Sequence, residues 1–173
     1  MILPGHIAAS VLVHRHLETP LWPTVLAGLA PDLVDKFLCY VLHVVPSSRL
    51  PMHTLLGWVG STLLVGVAAY LIDRSAIRRW LLCWAAGYGG HLLCDSPLAG
   101  GKLPFLWPWR TYSTHTEGLP LAYLFHGGPL PVWTLTAELI LVLYTLATSP
   151  QVRAWLAARR ERELAPRAKR PLD

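Results

Sequence analysis

Charge is scarce in this sequence. Asp, Glu, Lys and Arg make up 14% of its 173 residues, where a soluble domain carries about 25%. With 53% hydrophobic residues and a mean hydropathy of +0.41, the shortage argues against an ordinary soluble domain and directs the chain to a membrane. Cysteine is sparse too. Cys39, Cys83 and Cys94 form no CxxC pair and are odd in number, so a complete disulfide framework is excluded and they read as small buried hydrophobes. No stretch alternates polar and apolar residues as a strand would, and no segment repeats. No secretory signal is expected either: MILPGH lacks a basic start, and His6, His14, Arg15 and His16 interrupt any apolar core. The net charge is +5, but seven of the fifteen Lys and Arg residues lie beyond residue 150. The charge therefore belongs to a tail, and no nucleic-acid partner is expected.

What is present is a set of apolar runs. Residues 55–72, LLGWVGSTLLVGVAAYLI, carry no charge and would span about 27 Å as a helix, close to the hydrocarbon thickness. Further runs cover 80–94 and 130–147, the latter with one acid, Glu138. Residues 7–13 and 21–30 are apolar but each is short of the roughly 20 residues a full span needs. They read as short helices, a re-entrant pair or a broken hairpin. Pro31-Asp32 reads as an element boundary, with a further helix over 33–45 that Pro46 to Pro51 ends. The expectation is an all-α integral membrane helical bundle of about three full transmembrane helices plus short N-terminal helices. Residues 1–150 form its membrane-embedded domain, and 151–173 a basic tail.

If the chain crosses at each apolar run, Arg15, Arg74, Arg78, Arg79, Arg153, Arg159, Arg160, Arg162, Arg167, Lys169 and Arg170 share one side. Lys36, Arg49, Lys102 and Arg110 share the other. The excess of basic residues places the first group in the cytoplasm, with the tail near anionic headgroups. The same topology brings His6, Asp32, Asp35, His53 and Asp95 to the extracytoplasmic side, with His91 one turn below Asp95. Asp32 and Asp35 at i,i+3, and His91 and Asp95 at i,i+4, each share a helix face. Carboxylates in membrane helices read as functional by default, and imidazole with carboxylate suits zinc and similar divalent metals. Gly87, Gly89 and Gly90 leave a patch free of side chains, where another helix packs closely or a ligand approaches the backbone. His14, His16 and His43 read as hydrogen-bonded packing residues. Glu138 reads as a partner behind a ligand or a protonated acid within the bundle.

Five short motifs occur in order: GHIAAS, APDLVDK, RLPMHT, GYGGHLLCD and GGKLPFLWPW. Together they resemble the bacterial inner-membrane proteins described as membrane-bound metal-dependent hydrolases, the YdjM-like proteins, some of them LexA-regulated. The likeness covers roughly residues 1–110. That family in turn is similar to zinc-dependent phospholipase C and the P1-type nucleases. The resemblance implies metal ligation by His6, Asp32, His53, His91 and Asp95. Val34 stands where the family's second acid usually stands, and Asp35 follows it. The enzymes' further H-x-x-x-E unit has no counterpart: His115 and Glu117 are two apart, and Glu138 has no His four residues earlier. One or two ions, zinc first, is therefore the expectation.

The function expected is hydrolysis of a phosphoester in a lipid or lipid-linked substrate by metal-activated water, with Asp32 or Asp35 as bridging ligand or general base. Lys102, Arg110 and Arg49 would receive an anionic headgroup, and Trp107, Trp109 and Tyr112 would sit at the interface. A small metal or proton transporter, and a non-catalytic membrane protein with a structural metal, are the alternatives.

Overall fold

The computed structural model describes residues 3–96, 104–110 and 132–164, and among them every regular element is helical. Lys102, Tyr112, His115, Glu117 and the tail from residue 165 lie outside the described residues. The elements are α1 (Leu3–Leu17), α2 (Leu21–Lys36) with a π-helical turn (Phe37–Val41), α3 (Leu55–Ile72), a 3-10 turn (Arg74–Ala76), α4 (Ile77–Cys94), α5 (Val132–Ala147) and α6 (Pro150–Leu164).

The N-terminal third is a helical hairpin, longer than its apolar runs. The HRHL stretch stays helical, and Glu18 then takes a left-handed conformation (φ 51°) that stops α1. The expected boundary at Pro31-Asp32 is absent, because α2 runs through Pro31 to Lys36. Proline removes one rung of the helix ladder. Here the buried Pro31 is held by the helices packed around it, and α2 loosens only later, where Leu42 N–H bonds Phe37 O at 3.1 Å. The helix expected over 33–45 is thus the end of α2 plus the π turn.

Thr54 starts α3. Its side chain accepts a hydrogen bond from Gly57 N at 2.9 Å, satisfying one of the free donors of the first turn. Asp73 closes α3 and opens the next turn by accepting from Ser75 N. The Ser75 hydroxyl donates to the same carboxyl at 2.6 Å, and these two exposed bonds hold Asp73 below its ordinary pKa. Among the described residues, α3 alone is long and apolar enough to cross a membrane. Leu135–Ala147 with Pro150–Glu161, bent by 61°, makes a second span if the pair counts as one. The run at 80–94 does not reach that standard. It belongs to α4, which is as long as α3 but opens with Arg78 and Arg79 and contains three glycines and His91.

The bundle buries many polar groups among small apolar ones and turns large apolar side chains outward. α4 packs against α1, α2 and α3, and α5 packs against α1. The interior holds His6, Ser10, Thr24, Asp35, His53, Thr54, His91, Asp95 and Glu138, while Leu56, Leu63, Leu64, Val67, Leu71 and Ile72 of α3 face outward. The three glycines of α4 serve three neighbours. A Cβ on Gly87 would meet Thr24 O of α2 at 2.4 Å, one on Gly89 would meet the Trp58 ring of α3 at 3.2 Å, and one on Gly90 would meet Val13 of α1 at 3.4 Å. The patch is a set of helix contacts. Cys39 and Cys83 are buried, Cys94 is half-buried, and all three are free thiols.

Candidate metal centre

Alternating helix directions bring three segments to one end of the bundle. Asp32 comes from the last turns of α2, His53 from the residues before α3, and His91 and Asp95 from the end of α4. One ligand atom of each lies within 4.8 Å of the others. His53 Nε2 is 3.0 Å from His91 Nε2, 3.5 Å from Asp32 Oδ1 and 3.6 Å from Asp95 Oδ2. His91 Nε2 is 3.9 Å from the same Asp95 oxygen.

The partners behind each imidazole decide what faces inward. His91 Nδ1 lies 2.8 Å from Gly28 O. A carbonyl only accepts, so Nδ1 carries the proton and the neutral ring presents a lone pair at Nε2. His53 Nδ1 lies 2.7 Å from Asp35 Oδ2, and the same argument leaves its Nε2 as a lone pair. Two lone pairs 3.0 Å apart repel unless a proton or a metal ion stands between them. Burial opposes charge on His53, but the carboxylates of Asp35 at Nδ1 and of Asp95 and Asp32 near Nε2 outweigh burial, and its pKa is raised. Those carboxylates favour a positive charge beside the His53 ring.

Asp35 departs from the expected role. It shares a helix face with Asp32, and the two carboxylates bracket a single ring: Asp32 stands at Nε2 of His53 and Asp35 at Nδ1. Both Asp35 oxygens are engaged, Oδ1 by Met52 N–H at 2.8 Å and Oδ2 by His53 N–H at 3.2 Å and by the ring. It is fully buried behind the histidine and orients it, as carboxylates behind metal-binding histidines do.

His6 lies beside the four. It is 1% exposed, stacks on His91 with ring centroids 3.9 Å apart, and brings Nε2 to 3.5 Å from Asp95 Oδ1. Among the described residues neither of its ring nitrogens finds a hydrogen-bond partner. A buried imidazole without such partners, next to a carboxylate oxygen, fits a cation-binding centre, as does the mixed imidazole and carboxylate donor set.

Close helix approach makes this geometry. α2 and α4 run parallel where Thr24 faces Gly87, and one turn further Gly28 faces His91. Tyr88 Oη donates to Met52 O at 2.5 Å, holding the loop that carries His53. Leu55 N–H donates to Phe105 O at 2.9 Å, so the turn at 104–110 is fixed beside His53, with Phe105, Leu106 and the 73% exposed Trp109 turned outward. Glu138 is buried on α5 and is not one of the four clustered residues. His14 and His16 also lie apart, engaged with Thr19 O and Leu12 O.

The reading of the sequence missed Lys36. Its Nζ meets Asp32 Oδ2 at 2.9 Å, and the i,i+4 spacing with Asp32 is a signal the sequence carries. It also missed Gly28, which acts through its backbone carbonyl and leaves no side-chain signature.

Helices that bury imidazoles and carboxylates and turn leucines outward define an integral membrane protein with a candidate metal centre. The family model of the YdjM inner membrane protein matches residues 2–158, and the chain belongs to that family. Its place is accordingly the inner membrane. No curated protein and no solved structure matches the chain.

Proposed function

We propose that this protein is a membrane-bound, metal-dependent hydrolase acting on a phosphoester of a lipid or lipid-linked molecule. The observation that carries the reading is the pair of facing Nε2 atoms, 3.0 Å apart, each turned inward by an acceptor on its Nδ1. Asp32, His53, His91 and Asp95 would hold a divalent ion, zinc first by donor chemistry, with His6 as a further donor beside Asp95 and room in the donor count for one or two ions. Such an ion supplies Lewis acidity and lowers the pKa of a bound water to about 7.

The chain's own groups do the rest. Asp35 and Gly28 O keep both rings oriented before substrate arrives, so little reorganisation is needed. Asp32 is the least buried of the four, its side chain 13% exposed. It lies at the opening, where its Oδ1 would either hold the ion or take the proton that leaves an attacking water. Hydrolysis joins the water oxygen to phosphorus, breaks the bond from phosphorus to the alcohol oxygen, and leaves a proton on that oxygen. Asp35, with both oxygens engaged, does not serve as the base.

Location supports a lipid substrate. His53 lies two residues before α3, hence where a crossing helix enters the hydrocarbon. That the bond cleaved is a phosphoester follows only from the expected resemblance of the sequence motifs to zinc-dependent phospholipase C. The excess of basic residues at the other end supports an extracytoplasmic site and a cytoplasmic tail.

The test is a metal analysis of purified protein coupled to a screen of phospholipids and lipid-linked phosphates. Stoichiometric metal and release of phosphate or alcohol are expected, with both lost in His91→Ala and Asp95→Ala. Full metal in both variants overturns the site. Full metal in the native protein with no hydrolysis of any lipid phosphoester overturns the enzyme and leaves a structural ion.

A further inference from the structure

Resting on the metal-centre reading above, we infer that Lys36 is the residue that receives the substrate's phosphate oxyanion. Three observations place it there. First, Lys36 sits one turn beyond Asp32 on α2, and its ammonium contacts Asp32 Oδ2 at 2.9 Å while Asp32 Oδ1 faces His53. The charge therefore stands one carboxylate's width from the centre. Second, this is the open edge. The Asp32 and Lys36 side chains are 13% and 26% exposed, while those of His6, His53, His91 and Asp95 are at most 3% exposed. A substrate reaching the centre from that edge meets Lys36 first. Third, an ammonium has three donors, and among the described residues Asp32 is the hydrogen-bond partner of Lys36. Two donors remain for an incoming oxygen.

The charge balance gives the residue its purpose. Asp32, Asp35 and Asp95 bring three negative charges, and one divalent ion leaves the centre at minus one, which repels a phosphate. Lys36 brings the sum to zero and sets a positive group on the side from which the anion comes. Lysine suits this task as a point charge, where arginine's planar fork would favour a bidentate partner. The shared chemistry is a phosphate oxyanion, whether on a lipid headgroup or free.

The experiment uses the full-length protein in detergent, loaded with cobalt(II), whose visible band reports the ligand set directly. Inorganic phosphate and a short-chain phosphatidate are titrated separately, and the shift of the band gives each affinity. Both anions are expected to shift the band of the native protein. Lys36→Gln should weaken both by about tenfold or more, the loss of a charge-assisted hydrogen bond, with the anion-free band unchanged. Lys36→Arg should recover most of the affinity. Tighter binding of phosphatidate than of phosphate assigns the lipid headgroup as the source, and equal binding assigns the free anion. The inference is overturned if neither anion shifts the native band, if Lys36→Gln binds both as the native protein does, or if Lys36→Gln loses the cobalt band itself, which would make Lys36 only a support for Asp32. Absence of any cobalt band in the native protein would instead overturn the metal reading on which this rests.

Discussion

Adding one methyl group at Gly87 tests the packing from which the site is built. In Gly87→Ala the new Cβ would lie 2.4 Å from Thr24 O and 3.0 Å from Ala27 Cβ, and ordinary contact begins at 3.4 Å. The first neighbour is backbone and cannot swing away, so α2 and α4 must part by about 1 Å. His91 donates to Gly28 O one turn along the same contact, at 2.8 Å. The same displacement stretches that bond to about 3.8 Å, beyond hydrogen-bond reach. His91 then loses the partner that fixes its tautomer. Loss of such a partner lowers metal affinity by about 10- to 100-fold, and the overpacking itself costs about 1–3 kcal/mol. Metal affinity by chelator competition and unfolding in detergent read the two effects separately. If Gly87→Ala holds metal and unfolds as the native protein does, the account of the α2–α4 contact is wrong.

Asp35→Asn should lower metal affinity by about 10- to 100-fold yet reach the native stoichiometry at saturating metal, because it acts through His53. A lost equivalent in elemental analysis would make it a ligand. Asp95→Ala should lose metal even at saturation. Thr54→Ala removes the bond to Gly57 N and should destabilise the protein by about 0.5–2 kcal/mol in denaturant or thermal unfolding. A neutral result would show that the start of α3 is held by Phe105 O instead. Cysteines placed singly at Phe105 and Arg160 should label from opposite faces of the membrane; labelling from one face would refute the topology.

Much of the site was legible because its chemistry is out of place. His53, His91, Asp32 and Asp95 are polar groups in apolar surroundings, and letting the chain reverse direction at each apolar run was enough to set them at one end. The place of Asp35 behind His53 was not legible, for a physical reason. A spacing of three places two carboxylates on one helix face but says nothing about which nitrogen of a histidine each will meet. Pro31 misled in a similar way. Proline weakens a helix locally, and only tertiary packing around Pro31 shows that α2 continues. The glycines of α4 announced close approach but not the partners, since a missing side chain fits any neighbour. The number of crossings stayed least legible: α4 alternates apolar residues with arginines, glycines and a histidine that its buried contacts require.

Those glycines also bear on how the protein can work. α4 touches α2 through Gly87 and α1 through Gly90, neighbours on one face, and α3 through Gly89 on another. A helix seated against three neighbours loses contact with at least one of them when it rotates or slides. A carrier must open its site to each side of the membrane in turn, and the parts that move relative to one another need a smooth interface. Here the helices that supply His91, Asp32 and the support of His53 meet through close backbone contacts, which favours access to the site through the loops over sliding of one helix past another.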